Sequence, residues 1–487
     1  MRSPKTYLPF IALAVIYLIF PTRNANIDSW FYAASVKHNQ ELFHSHHLLY
    51  NVIGRGWYNF LETCMPGIEA IDALNIMNAM AAALCLPVFR AILLKLGTES
   101  RTALQLTLFC GVSFGFMRYA TDAETYILPL LFSLVSTYYF ANPVKKNHLL
   151  VSGLFSALAI LVHQLHIWWT LAMFLSLVFG KPFRSGLLWR FLCPLLLVPL
   201  VYMMVFQSTD TGEVSFWQFI NGEYAKGNAS VGLGLKGLLF TCINFLRTFL
   251  QVHGQIADFI SSYPTVYLGL IAIIIALKIY FLKTGRLTPK LRRLPVKGPY
   301  FMLFLFAFIF HLAFAALSSG NAEFMVMLPF LLILLLVSSF RFESHTLIPS
   351  LTVLLCIWNL SMAIIPARVL DLIRVDKQAE FTINHPDDYF LWKHKPLVEN
   401  VVTYQKGFNQ SHKYIPLNPQ TGDFVDSLLR DNVPVYTDFG NPGTGFSRES
   451  LQRDPSYING RYELKQVVSW KNIYGENHIY LISKKGD

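Results

Sequence analysis

Apolar stretches of helical length follow one another along most of this chain, and few of them carry a charge. The run YLGLIAIIIALKIYFL at 267–282, for example, holds a single lysine. A helix needs about 20 residues to cross about 30 Å of hydrocarbon. We identify eleven such stretches, at roughly 6–21, 70–94, 102–119, 125–141, 149–166, 167–180, 190–206, 262–282, 299–317, 324–340 and 346–366. This pattern predicts an α-helical, multi-pass integral membrane protein.

The composition agrees with this fold class. Of the 487 residues, 54% are hydrophobic and 14% are charged, whereas soluble domains contain about 25% charged residues. The six cysteines lie mostly in or beside apolar stretches. Their spacing fits neither a disulfide framework nor a zinc site.

The charges between the apolar stretches indicate the orientation of the chain. One set of loops is basic and nearly free of acid: it contains Lys145, Lys146, Lys181, Arg184 and the run KTGRLTPKLRRLPVK at 283–297. Such loops are cytoplasmic by the positive-inside rule, which accounts for much of the net charge of +11 without a nucleic-acid partner. The acidic loops therefore lie on the outer side, and we expect a bacterial inner membrane with these loops in the periplasm.

Two segments are not simple spans. The segment 237–260 is apolar enough to cross a membrane, but counting it would move the most basic loop to the outside. We interpret it as an amphipathic helix in the plane of the outer membrane surface.

After Pro366 the sequence becomes that of a soluble protein with helices and short strands. We therefore predict a transmembrane domain at 1–375 and a small extracytoplasmic α/β domain at 376–487.

The stretch RYATDAETY at 118–126 places charges between two apolar stretches. Asp122 and Glu124 are two residues apart, so an extended turn would direct both carboxylates to one side. Arg118 and Tyr126 flank them. An exposed ion pair between Arg118 and Asp122 would add at most about 1 kcal/mol. Charges at membrane depth are costly and commonly mark function, so we favour a functional site here.

The first outer loop carries Asp28 and a histidine-rich stretch, FHSHHLLYN at 43–51. Asp28 precedes a helical pattern, so it is a candidate helix cap, and a cap residue can also face a site. His44, His46 and His47 could bind a metal or a phosphate. Alternatively, they anchor the loop at headgroup depth.

Two further outer turns hold polar groups, His163 with Gln164 and Asn321 with Glu323. Polar groups from four outer loops thus lie at one face of the predicted helix bundle. This distribution predicts a shared cavity between the helices.

These features together resemble the GT-C superfamily of membrane glycosyltransferases, which includes protein O-mannosyltransferases and aminoarabinose transferases. An acid just after the first span, an in-plane outer helix, a D-x-E motif in the second outer loop and an outer C-terminal domain carry the resemblance. It implies transfer of a sugar from a polyprenyl-phosphate donor to a lipid, glycan or protein acceptor. By the same resemblance, Asp28 corresponds to the first-loop catalytic aspartate, and Asp122 with Glu124 to the second motif.

The chemistry of such a transfer assigns further roles. The acceptor hydroxyl needs a base, for which we predict Asp28, with inversion at the anomeric carbon. The leaving phosphate needs positive charge or a metal. The candidates for phosphate binding are Arg118, Arg55, His46 and His47. The cofactor is left open, and a divalent cation would have Asp122, Glu124 and His46 as candidate ligands. The other predicted pocket residues are His44, Tyr50, Tyr126, His163, Gln164 and Glu323.

Other functions are compatible with parts of this pattern. A transporter or lipid flippase would place ionisable residues in the middle of spans, whereas here they lie at span ends. In an O-antigen polymerase or ligase we would expect arginine and histidine, rather than paired acids, to dominate the outer loops. A structural protein would need no convergent acids.

Overall fold

The computed structural model describes residues 7–141, 147–179, 185–208, 215–222, 232, 234–252, 255–288, 291–294, 300–342, 346–418, 420–441 and 460–485. The basic residues Lys145, Lys146, Lys181 and Arg184, which we predict to be cytoplasmic, lie outside these ranges. The chain divides into two compact units. The first comprises 1–21, 41–252 and 271–364, and the second comprises 22–40, 253–270 and 365–487.

Helices dominate the described residues. In chain order they are α1 (Leu8–Ile19), α2 (Ile27–His38), α3 (Tyr50–Cys64), α4 (Ala70–Lys95), α5 (Ser100–Gly111), α6 (Phe114–Ala120), α7 (Ile127–Phe140), α8 (His148–Val162), α9 (Ile167–Phe179), α10 (Ser185–Leu195), α11 (Leu197–Ser208), α12 (Phe216–Ile220), α13 (Leu235–Arg247), α14 (Gln255–Ser262), α15 (Pro264–Lys283), α16 (Phe301–Leu317), α17 (Leu328–Val337), α18 (Leu347–Asn359), α19 (Ile365–Val369), α20 (Asp376–Asn384), α21 (Lys395–Lys406) and α22 (Thr421–Arg430). The strands are β1 (Leu291–Arg293), β2 (Phe340–Phe342), β3 (Tyr389–Leu391), β4 (Lys413–Tyr414), β5 (Val435–Thr437), β6 (Tyr462–Asn472) and β7 (Gly475–Lys484).

Among the described residues, four helical segments are long and apolar enough to cross a membrane. They are Ala70–Lys95, Gly186–Ser208, Pro264–Lys283 and Leu347–Val369. Six shorter apolar helical segments accompany them: Leu8–Ile19, Ile127–Phe140, His148–Val162, Gln164–Phe179, Phe301–Leu317 and Glu323–Val337. The predicted helical architecture is confirmed, while the figure of eleven spans stays a prediction.

The stretch 102–119, predicted as one span, consists of two helices, α5 and α6, separated by Val112 and Ser113. A break in a membrane helix exposes backbone groups that must find partners inside the protein. Here the Phe114 N–H donates to the Phe249 carbonyl at 3.1 Å. The Asn359 amide donates to the carbonyls of Val112 and Phe249, each at 2.8 Å. The partners come from residues more than 100 positions away, so a local apolar pattern does not reveal the break.

The segment 237–260 is likewise divided between two helices, α13 and α14. Helix α13 has 13 residues, which rise about 20 Å. That length is shorter than the roughly 30 Å hydrocarbon layer. This length is compatible with the in-plane interpretation, which stays a prediction.

The second unit contains a mixed five-stranded sheet of order β4-β3-β5-β7-β6. Strands β3, β4 and β5 are parallel, whereas β7 pairs antiparallel with β5 and β6. The hydrophobic core includes Phe390, Trp392 and Val398. The predicted C-terminal α/β segment is therefore present.

Helix α2 belongs to this second unit and packs on α21. The Asn400 amide donates to the Ile27 carbonyl at 2.9 Å. The rings of Trp30 and Tyr404 meet edge-on, with centroids 5.1 Å apart. The loop that carries Asp28 is thus folded with the C-terminal segment rather than with the helices that flank it in sequence.

Candidate active site

The acidic loop, residues 121–126, connects α6 to α7 in the first unit and is buried throughout. Asp122 and Glu124 are 0% and 1% exposed. A buried carboxylate is stable only with charged or hydrogen-bonding partners. The structure supplies such partners from several elements.

Asp122 has two defined partners. Arg118, four residues earlier at the end of α6, places its Nη2 2.9 Å from Asp122 Oδ2. The Ala123 backbone N–H donates to Oδ1 at 2.9 Å. The Nη1 group of Arg118 is buried and has no hydrogen-bond partner among the described residues. The Nη2 group of Arg118 therefore binds Asp122, while its Nη1 group remains available as a hydrogen-bond donor to a further anion.

Asn78 of α4 holds the backbone of the acidic loop. Its Nδ2 group donates to the carbonyls of Asp122 at 2.7 Å and of Glu124 at 2.6 Å. Asn78 is fully buried. It was not among the residues predicted from the sequence, although a polar residue inside the apolar stretch 70–94 was an available signal.

A third acidic group reaches this site from the turn before α17. The Tyr126 hydroxyl donates to Glu323 Oε2 at 3.0 Å. The Glu323 N–H donates to Asn321 Oδ1 at 3.0 Å, which orients the turn. These contacts place Glu323 beside the acidic loop, as the sequence predicts.

Arg247, at the end of α13, is a second cation in this region. Burial lowers the pKa of Arg247, the nearby charge of Arg118 lowers it further, and Tyr119 opposes both effects. Its Nε donates to the neutral Gln251 at 3.2 Å. The sequence analysis missed Arg247, although a lone arginine in the amphipathic segment 237–260 was a visible signal.

Four histidines line the site from the first outer loop and from the turn after α8. The rings of His47 and His163 are 4.3 Å apart between centroids, and those of His163 and Tyr126 are 5.1 Å apart. The rings of His44 and His46 lie within 6.3 Å of His47. The predicted histidine cluster therefore reaches the acidic loop through His163.

His163 and His47 are neutral at physiological pH. Burial lowers the pKa of His163 to about 3, with smaller contributions from His46 and His311. Burial also lowers the pKa of His47. His163 Nδ1 accepts the Leu165 N–H at 3.1 Å, so in the neutral ring the proton is on Nε2. That buried Nε2–H has no partner among the described residues.

Tyr50 also contacts this site, because its hydroxyl accepts a weak hydrogen bond from Asn78 Nδ2 at 3.4 Å. Burial raises the pKa of Tyr50, and the nearby charges of Glu124 and Asp122 raise it further, whereas the Asn78 bond acts in the opposite direction. Tyr50 is thus a neutral hydroxyl close to both acids.

Two predicted residues make their defined contacts elsewhere. Gln164 donates to the Tyr202 hydroxyl at 3.0 Å, on the side of the bundle formed by α11. The Arg55 guanidinium lies over the Tyr58 ring, 5.6 Å from its centroid. Both residues are in the first unit, but neither has a defined contact with the acidic loop.

Asp28 is an exposed residue in the first turn of α2, in the second unit. The interpretation of Asp28 as the helix cap is wrong. Asn26 is the cap, and its side chain accepts the Ser29 N–H at 2.9 Å. A carboxylate in the first turn still interacts favourably with the helix dipole.

The predicted metal ligands do not form a ready site. Among the described residues, no group of three His, Cys, Asp or Glu side chains is arranged to hold a metal ion. Asp122 is engaged with Arg118 and with the Ala123 N–H. In the arrangement that the structure shows, Asp122, Glu124 and His46 therefore do not form a metal-binding site.

No family model and no curated protein matches the chain. Among solved structures, the arabinofuranosyltransferase AftD from Mycobacteria is similar over 100% of this chain and 40% of that chain, with a TM-score of 0.50 and 12% identity. ArnT from Cupriavidus metallidurans in the apo state matches with a TM-score of 0.45, 10% identity and 97% of each chain. Archaeal oligosaccharyltransferase AglB from Archaeoglobus fulgidus, in complex with an inhibitory peptide and a dolichol-phosphate, matches with a TM-score of 0.45 and 10% identity over 98% of this chain and 74% of that chain.

The match to AftD shows a shared fold, and AftD is a GT-C glycosyltransferase. The fold that the predicted resemblance implies is therefore found in this chain. This chain spans 40% of the length of AftD.

Proposed function

We propose that this protein is an integral membrane glycosyltransferase. It transfers a sugar from a polyprenyl-phosphate donor to an acceptor hydroxyl at the outer face of a bacterial inner membrane. The acceptor is a lipid, a glycan or a protein. The buried acidic loop, with two carboxylates, an adjacent arginine and an ordered backbone, is the observation that carries this proposal.

The cations beside the acidic loop fit a phosphate. Arg118 has a free Nη1 donor, and Arg247 is near enough to Arg118 for the two charges to interact. Two guanidinium groups held close together repel one another until an anion lies between them. In this proposal they stabilise the negative charge that develops on the leaving phosphate.

The buried histidines support the same arrangement. His163 and His47 stay neutral because burial lowers their pKa values. In this proposal, the His163 Nε2–H donates a hydrogen bond to a phosphate or sugar oxygen. His46 is retained as a predicted phosphate ligand on the strength of its place in the same cluster.

The reaction is a single displacement. The acceptor oxygen forms a bond to the anomeric carbon, and the bond from that carbon to the phosphate oxygen breaks. The electron pair leaves with the polyprenyl phosphate, and the acceptor proton passes to a carboxylate. We retain Asp28 as that base, and the attack from the opposite face inverts the anomeric carbon.

The acids of the acidic loop have a different role in this scheme. Asp122 is ion-paired with Arg118 and fixes the orientation of the guanidinium that meets the phosphate. Its removal should therefore weaken donor binding as well as turnover. The loss of one preorganised electrostatic contact at a reacting centre typically lowers the rate about 10²–10³-fold.

The test uses the purified protein in detergent with a panel of radiolabelled polyprenyl-phosphate sugars. Release of polyprenyl phosphate together with labelling of the acceptor is measured. Asp28→Asn should fold normally and lower the rate about 10²–10⁴-fold, because it removes a general base. Asp122→Asn should also raise the donor KM.

Asn26→Ala is the matched control for Asp28→Asn. It removes the helix cap, which costs about 0.5–2 kcal/mol of stability, but it leaves the carboxylate in place. We expect a lower melting temperature with turnover per folded molecule near that of the wild type. Near-normal turnover of Asp28→Asn would remove Asp28 from the catalytic assignment.

One observation favours a transporter or lipid flippase as the second candidate. His166 and His311 are fully buried beside each other. His311 lies in the middle of the apolar helix α16, so the expectation that ionisable residues lie at span ends does not hold for this residue. Ionisable residues at such positions often mark a transport path. A flippase would release no polyprenyl phosphate in the detergent assay, but after reconstitution into vesicles it would move a labelled lipid-linked sugar across the membrane. The two measurements together separate the two functions.

A further inference from the structure

A cavity of about 910 Å³ lies in the first unit beside the loop that joins α4 to α5. Strands β1 and β2 form its other side. Three arginines line it, Arg292 and Arg293 from β1 and Arg341 from β2. Apolar residues complete the wall, among them Leu294 and Phe342.

The strand register brings two of these arginines together. In the antiparallel pair, Arg292 is directly opposite Arg341. Like charges at directly opposite positions destabilise a strand pair. None of the three arginines forms an ion pair within the described part of the chain. The one carboxylate among the described lining residues is Glu99. The lining therefore carries a net positive charge.

This cavity is separate from the candidate active site. Asn78 contacts the acidic loop from one part of α4, whereas Leu96 and Gly97, just after the end of α4, line the cavity. The 18 residues from Asn78 to Leu96 rise about 27 Å along the helix axis. Our orientation places the cavity on the cytoplasmic side.

We propose that this cavity binds a phosphate-bearing ligand. A guanidinium presents a planar set of donors that matches phosphate oxygens in a bidentate manner. A bound phosphate would also relieve the repulsion between Arg292 and Arg341. The positive-inside rule explains basic residues in this loop, but it requires neither a cavity nor a cross-strand arginine pair. The ligand is either the headgroup of an anionic lipid, whose chains the apolar wall accommodates, or a soluble phosphate compound.

Two probes distinguish these sources. Inorganic pyrophosphate is titrated by calorimetry against the full-length protein in phosphatidylcholine nanodiscs. A short-chain phosphatidic acid is titrated by native mass spectrometry in neutral detergent. We expect saturable binding of at least one probe at one cavity site. Binding of the lipid alone indicates a headgroup, and binding of pyrophosphate indicates a soluble ligand.

The variants locate the binding. The double variant Arg292→Gln, Arg341→Gln should bind the probe with at least about 10-fold lower affinity, because charge-assisted hydrogen bonds are lost. Lys283→Gln with Arg286→Gln removes the same charge from exposed positions outside the cavity and should change affinity less than about 2-fold. Arg247→Gln, in the candidate active site, should likewise leave this affinity unchanged.

A conservative double variant controls for misfolding. Arg292→Lys with Arg341→Lys keeps the charge that orients the loop but loses the bidentate geometry. We expect it to elute as the wild type does and to bind more weakly by several-fold. The proposal is overturned if neither probe saturates, if the Lys and Gln pairs bind as tightly as the wild type, or if the exposed-charge control loses as much affinity.

Discussion

At the scale of single residues, Asn78 determines the shape of the acidic loop. Its amide group satisfies the carbonyls of both Asp122 and Glu124. The loop lies in a buried region, where an unpaired carbonyl costs about 1–3 kcal/mol. One side chain on α4 thus fixes the spacing of the two acids in the acidic loop.

We predict that Asn78→Leu destabilises the protein by about 1–3 kcal/mol for each carbonyl left without its donor. Sugar transfer should fall further than the folded fraction does, because the carboxylates lose their orientation. The melting temperature in detergent and the turnover per folded molecule measure the two effects. Asn75→Leu, one turn earlier and also buried, is the control. An equal effect of both substitutions would contradict the positioning role of Asn78.

His163 provides a pH-dependent prediction. Its folded pKa is about 3, below the value of about 6.5 in an unfolded chain. Its contribution to stability is therefore fully present above pH 6.5 and is lost as the pH falls from 6.5 towards 3. At pH 5 the loss is on the order of 2 kcal/mol.

His163→Asn tests this contribution, because the Asn side chain can still accept the Leu165 N–H. We expect a lower melting temperature at pH 8, from lost ring packing, but a shallower fall between pH 7 and pH 5 than in the wild type. Thermal unfolding of both proteins across this range gives the comparison. Parallel curves would show that His163 does not titrate as described.

The sequence was sufficient to group the residues of the acidic loop with Glu323 and His163, because each follows the outer end of an apolar stretch. It was not sufficient for Asn78 or Arg247, whose roles depend on which distant helices pack together. Gln164 shows a different limit. His163 has an extended backbone and caps the short helical turn that begins at Gln164, so the two adjacent side chains contact different partners.

At the scale of secondary-structure elements, close helix packing depends on small residues. Gly153 of α8 faces α10, where a Cβ atom would overlap the Phe191 carbonyl oxygen and would lie 3.3 Å from Pro194 Cδ. A backbone carbonyl within a helix has little freedom to move. The contact between α8 and α10 therefore requires glycine at this position.

We predict that Gly153→Ala lowers the free energy of unfolding by about 1–3 kcal/mol, the usual cost of overpacking. Gly186→Ala, on α10, is the control, since an added Cβ atom there would meet no described atom within 4 Å. It should be neutral or stabilising by up to about 1 kcal/mol, because alanine favours the helix. Thermal melts of both variants in one detergent test the difference. Similar melting temperatures would show that α10 adjusts to the added methyl group.

The apolar pattern was a good guide to where helices occur but a poor guide to where they stop. The run 102–119 is mostly apolar, yet it is divided at Val112 and Ser113, where the Asn359 amide donates to the Val112 carbonyl. Gly111 ends α5 and Gly115 lies in the first turn of α6, so glycines flank the break and are a local signal that the sequence analysis missed. The distant partners that stabilise the break cannot be identified from this stretch alone.

At the scale of the whole molecule, the C-terminal α/β segment could be predicted because its strands and helices alternate within a short, less apolar stretch. The membership of α2 in the same unit could not. It depends on long-range contacts such as that between Trp30 and Tyr404, which involve residues more than 350 positions apart. The predicted division of the chain after residue 375 therefore does not describe the second unit, which also contains α2.

The orientation of the chain gives the final prediction. The run 283–297 holds six basic residues and no acid, so it should stay in the cytoplasm. A reporter that is active in the cytoplasm should be active when fused after Thr288 and inactive when fused at Asp487. A periplasmic reporter should give the reverse result, and a cytoplasmic reporter fused after Ser350 should read as inside or within the membrane. An Asp487 fusion that reads as cytoplasmic would contradict the parity on which the outer position of Asp28 and the acidic loop depends. The proposed transfer at the outer face would then have no support from the topology, whereas the contacts within the acidic loop would stand unchanged.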